Sequence, residues 1–222
     1  MPKALIVWGG WEGHQPEKGA HLVAEMLAND GFDVHVTSDY GAFGAPDLAD
    51  NNLVVPIITS DQIDRALIKS LVAAVRGGVG LGSYHGGIAT SFRDMVEFHY
   101  MAGVQWVAHP GDIVDFTVDV EKPDDPVMEG ISGFAYRSEQ YYLHFDPSIE
   151  ILASTTFTGE HDPVTSGVKM PVVFKRRFGR GRVFYTALGH VVDEFAHKPM
   201  RTILRRGLHW AAGRDDARFP VQ

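Results

Sequence analysis

The sequence predicts an α/β fold built on a doubly wound, mostly parallel sheet with an antiparallel extension. Three observations carry the prediction. Apolar runs and crossover patterns alternate four times between Lys3 and Gly87. The runs are continuous rather than alternating, as in strands covered on both faces. After about residue 112 the texture changes to closely spaced strands joined by short turns.

"KALIVW" (3–8), bounded by glycines, is the first strand, and the glycine-rich loop "GGWEGHQ" follows it. From Pro16 to Asn29 the residues Ala20, Val23, Ala24 and Leu27 recur at helical spacing; Pro16 suits a first turn and Gly31 is placed to end the helix. "FDVHVT" (32–37) and "LVVPII" (53–58) are the next strands, the second carrying a proline that withholds one ladder donor. Ser60 or Asp61 is placed to cap a helix striped by Ile63, Leu67, Leu71, Val72 and Val75 and stopped by Gly77-Gly78. "VGLGS" (79–83) is the fourth strand. The extension comprises "DIVDFTVDV", "YYLHF", "EILAST" and "PVVFKRRFGRGRVFYTAL", the last with a hairpin signal at Gly179-Arg180-Gly181, and a helix from Pro199 to Ala212 follows. With no internal repeat and no long linker, one domain over residues 1–222 is expected.

A chain of 222 residues that is 45% hydrophobic can bury one large core. Its formal net charge is −8, and its basic residues are scattered apart from Lys175-Arg176-Arg177 and Arg205-Arg206, which argues against a nucleic-acid or anionic-membrane partner. The absence of cysteine excludes disulfides, thiolate zinc ligands and a thiol nucleophile. The segment "MPKALIVWGG" enters a strand with no signal-peptide core, and no run of 18 apolar residues occurs, so a cytoplasmic location is expected.

In an open parallel sheet, ligands bind beyond the carboxyl ends of the strands. Four loops at such ends carry histidine: "WGGWEGH" with His14, "YHGG" with His85, "WVAHPG" with His109 and "ALGH" with His190. Gly82, Tyr84 and Gly86 have the spacing of a nucleophile elbow and put Tyr84 where serine or cysteine usually stands. A phenol of pKa about 10 is a poor nucleophile at neutral pH, so Tyr84 is expected to orient a substrate by hydrogen bonding. His85 follows at the start of a helix, where free backbone N–H groups favour developing negative charge, and Gly86 and Gly87 let a ligand approach the backbone; the same glycines also suit tight strand-to-helix packing. Glu139, among the aromatic residues of "YRSEQYYLHF", is a carboxylate whose pKa desolvation would raise toward acid–base use. Trp11 offers a stacking wall for a sugar.

Taken in order, "ALIVWGGWEGH", "GLGSYHGG", "GVQWVAHPG", "DDPVMEGISGF" with "SEQYYLHF", "PVVFKRRFGRGRVFYTALGH" and "LHWAAGR" resemble the ThuA-like (trehalose-utilisation) family, over nearly the whole chain. The resemblance implies a flavodoxin-like, three-layer α/β/α sandwich of the class I glutamine amidotransferase-like group. In that group the elbow carries cysteine, often as C-H-G; here the triplet is Tyr84-His85-Gly86, so glutaminase activity does not carry over. The family's histidines match His85, His109 and His190, its acidic position matches Glu139, and His14 lies in the first loop; "SEQYY" departs from the Asp-Glu pair expected there. The implied role is catabolism of trehalose or a related disaccharide at the level of oxidised (3-keto) sugars.

Three imidazoles and one carboxylate suit zinc, manganese or another divalent ion, and such an ion polarises a sugar carbonyl or activates water without a protein nucleophile. The leading expectation is therefore a sugar-active enzyme with His85, His109 and His190 as metal ligands. His85, Glu139 and Tyr84 would serve catalysis, and Trp11, His14, Gly86 and Gly87 would contact a small-molecule sugar. Two rivals stand beside it: metal-free isomerisation or elimination by His85 and Glu139, and a non-catalytic sugar-binding or assembly module. The aromatic stretch "FHYMAGVQW" (98–106) and the hairpin are candidate self-association surfaces for a homodimer or larger homo-oligomer.

Overall fold

The computed structural model describes residues 1–215 and residue 219. Its first half follows the expected alternation: β1 (Lys3–Gly10), α1 (Pro16–Asn29), β2 (Asp33–Thr37), β3 (Leu53–Thr59), α2 (Arg65–Gly77), β4 (Gly80–Tyr84) and the single turn α3 (Gly86–Ala89). Then come α4 (Val96–Ala102), β5 (Val104–Ala108), β6 (Ile113–Val120), β7 (Phe134–Glu139), β8 (Tyr142–Phe145), β9 (Glu150–Thr156), β10 (Lys169–Phe178), β11 (Gly181–Thr186) and α5 (Lys198–Ala211). The cap of α2 departs from expectation. Asp64 accepts from the Ala66 N–H, whereas Ser60 turns the chain away at φ +52° and Asp61 is engaged by the Tyr40 hydroxyl. Ile63 therefore packs from outside the helix.

The nine-stranded sheet runs β2-β1-β3-β4-β11-β10-β9-β6-β7; its first five strands are parallel, and the rest add antiparallel, while β5 and β8 pair as a separate ribbon. Alternate residues of the central strands face opposite layers. Ala4 and Ile6 of β1 pack with α1 (Ala20, Val23, Leu27) and α5 (Ile203, Leu204, Leu208). Leu5 and Val7 pack with α2 (Ile68, Leu71, Val75) and α4 (Phe98, Met101). This is the three-layer sandwich, and it explains why the strand sequences are apolar throughout. No helix among the described residues is long and apolar enough to cross a membrane.

Pro56 decides how the sheet opens toward the site. Lacking an N–H, it cannot continue a ladder, and β3–β4 pairing ends at Val54↔Leu81. Past that point the buried Ser83 hydroxyl donates to the Pro56 carbonyl, and the start of α3 settles against the gap. A Cβ on Gly87 would lie 2.2 Å from Ser83 Oγ and 2.6 Å from the Pro56 oxygen. Gly87 is thus buried in strand-to-helix packing.

A second close approach tests the packing of the other layer. Gly207 lies inside α5 with the Phe184 ring over it, and a Cβ there would meet three ring atoms at 2.1–2.3 Å. Helix propensity alone favours Gly207→Ala by about 1 kcal/mol, but overpacking against a fully buried ring opposes it by about 1–3 kcal/mol or more. Gly207→Ala is expected to lower unfolding stability by up to about 2 kcal/mol in a denaturant titration; a stabilised variant would contradict this packing.

Candidate metal centre

At the turn from β4 to α3 the residue in the strained conformation is His85, at φ +47° and ψ −124°, not Tyr84. Such a backbone costs a side-chain-bearing residue roughly 1–3 kcal/mol and persists where its surroundings hold it. Three contacts do so: the His85 N–H donates to the Thr186 carbonyl (2.7 Å), the Tyr185 hydroxyl donates to the His85 carbonyl (2.7 Å), and His85 Nδ1 faces the Ala187 carbonyl (2.9 Å). The elbow expected at Tyr84 is therefore displaced by one residue. Tyr84, still in β4, points into the core at 4% exposure, with its ring against Phe195 and its hydroxyl against Gly19, and burial pushes its phenol pKa up. It is a support beneath the site, not a group presented to a ligand.

Around Glu139, at the end of β7, four histidines gather from the ends of other elements. Glu139 Oε2 lies 3.0 Å from His85 Nε2, 3.5 Å from His190 Nδ1 and 3.8 Å from His14 Nε2, while Oε1 lies 3.8 Å from His109 Nε2. His190 Nδ1 and His85 Nε2 are 3.3 Å apart. His14, His85, Glu139 and His190 each offer a ligand atom, all within 4.8 Å of one another. The set can hold a metal ion.

Protonation sharpens this. Facing a carbonyl, His85 Nδ1 must carry the proton, which leaves a lone pair on Nε2. Complete burial pushes the His85 imidazole down to about 4, so that it is neutral at pH 7. Burial would raise the Glu139 carboxyl, but the crowded ring nitrogens of His14, His190 and His85 outweigh it and hold the group well below the usual carboxylate range. This reverses the upward shift expected from the aromatic neighbourhood, because the nearest groups are imidazoles. His190, drawn down by burial, is raised on balance by the hydrogen bond and charge of Glu139.

The family model described as trehalose utilisation matches residues 3–211. The chain belongs to the ThuA family. Among solved structures, a ThuA-like protein from Parabacteroides merdae superposes with a TM-score of 0.79 at 22% identity, over 99% of this chain and 94% of that one. A ThuA-like protein from Bacteroides uniformis gives 0.77 at 17%, over 95% and 91%. A β-galactosidase from Bacillus circulans gives 0.60 at 12%, over 97% of this chain but 31% of its own. At these identities the likeness shows the fold. No curated protein matches the sequence.

In this ThuA-family chain the structure brings together every histidine singled out from the strand-end loops, but it arranges them differently from the expected ligand trio of His85, His109 and His190. His14, expected as a sugar contact, stands in the donor quartet, because the turn Glu12–His14 folds it back over β1 and its Nδ1 meets Thr59 Oγ1 at 2.8 Å. His109 stands outside the quartet, 27% exposed, with Nδ1 3.3 Å from Asp112. Trp11 is exposed at the rim, edge-on to His14. Gly86 is buried under Thr59 and His14, where a Cβ would lie 2.4 Å from Thr59 Oγ1. The void beneath the cluster is about 10 Å³, so a ligand must approach from the solvent side. Larger hollows of about 740 and 480 Å³ border the N-terminal strand ends and include none of these histidines.

Two contributors escaped sequence reading. Tyr141 lies over His85 with ring centres 4.2 Å apart; the tyrosine pair beside Glu139 was its available signal. Glu194 had none. Its carboxylate accepts from Tyr136 Oη (2.5 Å), Ser138 Oγ (2.8 Å) and the N–H groups of Gly189 and His190 (3.1 Å each). It thereby clamps the His190 turn to the strand that bears Glu139. Glu194→Ala would leave the buried Tyr136 and Ser138 hydroxyls without this acceptor. We expect a stability loss of about 2–4 kcal/mol in chemical unfolding, with a smaller loss for Glu194→Gln; an unchanged midpoint for Glu194→Ala would contradict the clamp.

Proposed function

We propose that this protein is a metal-dependent enzyme of carbohydrate catabolism, acting on trehalose or a related disaccharide in its oxidised (3-keto) form, with no amidotransferase activity. One observation carries the reading: a neutral imidazole and an ionised carboxylate point lone pairs at each other, His85 Nε2 to Glu139 Oε2, across 3.0 Å. Two further ring nitrogens share the same space. Lone pairs so placed repel unless a cation or a proton stands between them.

The donor chemistry, three imidazole nitrogens and one carboxylate oxygen, fits zinc or manganese. His14, His85, His190 and Glu139 would hold the ion. When bound, a divalent ion supplies Lewis acidity toward a sugar carbonyl or a coordinated water. The chain's own groups orient the rest: Thr59 sets the His14 ring, Ala187 sets the His85 tautomer, and Glu194 sets the His190 turn. His109, on the solvent side beside Glu139 Oε1, is placed to hydrogen-bond a substrate hydroxyl. The ThuA family's link to trehalose utilisation supports the sugar class. The acidic, unpatterned charge supports a small-molecule substrate over nucleic acid or membrane.

The 3.0 Å contact between His85 and Glu139 also suits a shared proton, which favours one alternative: metal-free isomerisation or elimination beside a keto group, with these two residues as the acid–base pair. The two readings part on metal content. Elemental analysis of untagged protein is expected to find about one divalent ion per chain, and His14→Ala is expected to weaken its retention about 10–100-fold or more. Turnover of a 3-keto disaccharide should stop in chelator and return with added metal. Metal-free protein with full turnover in chelator, abolished by His85→Ala, would replace the metal reading with the alternative.

A further inference from the structure

Trp11 is 55% exposed, unusual for so large an apolar ring, and it is held in place rather than loose. Its backbone N–H donates to the Thr59 carbonyl at 2.9 Å, and its ring meets His14 edge-on at 4.8 Å. A Cβ built on Gly13 would meet indole Cζ2, Cη2 and Cε2 at 2.2, 2.3 and 2.6 Å. Three adjacent ring atoms at such similar distances mean that the six-membered ring lies face-on over the Gly13 backbone. Its opposite face is the exposed one, a flat apolar platform beside the donor cluster.

Across the end of the sheet stands a fixed carboxylate. Asp61 Oδ2 accepts from the Tyr40 hydroxyl at 2.6 Å and Oδ1 from the Gln62 N–H at 2.8 Å. Tyr40 in turn is seated on Gly9, whose missing side chain leaves its hydroxyl room: a Cβ there would lie 2.2 Å away. Ser60, between Thr59 and Asp61, adopts φ +52°, and the turn it makes delivers Asp61 to Tyr40. In the parallel register Gly10 lies opposite Thr59, so the backbone of Gly9 and Gly10, with Tyr40 seated on Gly9 and the Thr59 carbonyl against Gly10, joins Trp11 to the Tyr40–Asp61 pair. The place is the break in strand order, where the chain leaves β1 for β2 on one side and reaches β3 on the other.

We infer that Trp11, Asp61 and Tyr40 form a subsite for the non-reacting ring of a disaccharide, next to the cluster that receives the reacting ring. The inference rests on the sugar chemistry proposed above. The indole stacks on the apolar C–H face of a pyranose, and the carboxylate, whose oxygens keep free lone pairs, accepts from adjacent hydroxyls. Because Asp61 is already immobilised by Tyr40 and Gln62, little side-chain freedom is lost on binding. Thr59 joins the two regions, since its carbonyl holds Trp11 and its hydroxyl holds His14.

The test is calorimetric titration of the full chain with trehalose, and with glucose as a single-ring control, alongside elemental analysis of the same samples. Wild type is expected to bind trehalose more tightly than glucose. Trp11→Ala and Asp61→Asn should each weaken trehalose binding about tenfold and leave metal content unchanged. Wild type that does not bind trehalose, or variants that bind it as tightly as wild type, would overturn the subsite. A metal-replete chain whose trehalose affinity ignores both substitutions loses the subsite and keeps the metal centre. A metal-free chain whose affinity falls in both variants loses the centre and keeps the subsite.

Discussion

Glu139 Oε2 and the ring nitrogens of His85, His190 and His14 stand 3.0, 3.5 and 3.8 Å apart respectively in a site largely shielded from water, and everything else in the molecule's upper face is arranged around that crowding. Such a group of nitrogens and a carboxylate can share protons by hydrogen bonding or hold a metal ion. The rings are pinned individually: Thr59 behind His14, the Ala187 carbonyl behind His85, and the Glu194 carboxylate behind the His190 turn. The Ala187 carbonyl fixes the His85 tautomer, so that its inward nitrogen is the one free to accept, and the other two supports hold a ring and a turn.

The fold supplies these positions at little cost to its core. β1, β4 and β11 end in one parallel block, with β3 between β1 and β4, and each of the three delivers one histidine within a few residues of its last strand position. Pro56 stops the β3–β4 ladder early, and α3 packs against the resulting gap, so the elbow is held by strand and helix contacts on both sides. The antiparallel half then contributes what a parallel sheet alone could not. β7, at the far edge of the nine strands, returns Glu139 to the centre, and Tyr136 and Ser138 on the same strand share Glu194 with the His190 turn. Trp11 and the Tyr40–Asp61 pair extend the same face toward the β1–β3 break.

Much of this was legible before any coordinates. The continuous apolar runs read as doubly covered strands, and α1 begins and ends where proline and periodicity place it. The histidines at glycine-flanked strand ends read as candidates because parallel strands collect such loops at one edge. What the pattern could not rank was their reach. His14 and His109 look alike in sequence, yet a turn of 3-10 helix folds one into the donor quartet while the other sits beside the second carboxylate oxygen. The elbow motif was off by one residue because glycine spacing does not say which backbone carries the positive φ. Glu139 was taken for a raised carboxyl because its sequence neighbours are aromatic, whereas its spatial neighbours are imidazoles from distant loops.

Local sequence by itself determined the layers, the parallel order of secondary elements and the short list of residues able to do chemistry. These follow from periodicity, turn residues and side-chain type, all of which act within a few residues of one another. The tertiary structure alone decided which four side chains gather within ligand distance, which nitrogen of His85 carries its proton, and that Glu194 and Tyr141 belong to the site. Those outcomes are set by contacts between residues 54 to 105 positions apart in the cases of Glu139 with His85 and His85 with His190, and no spacing rule spans such distances.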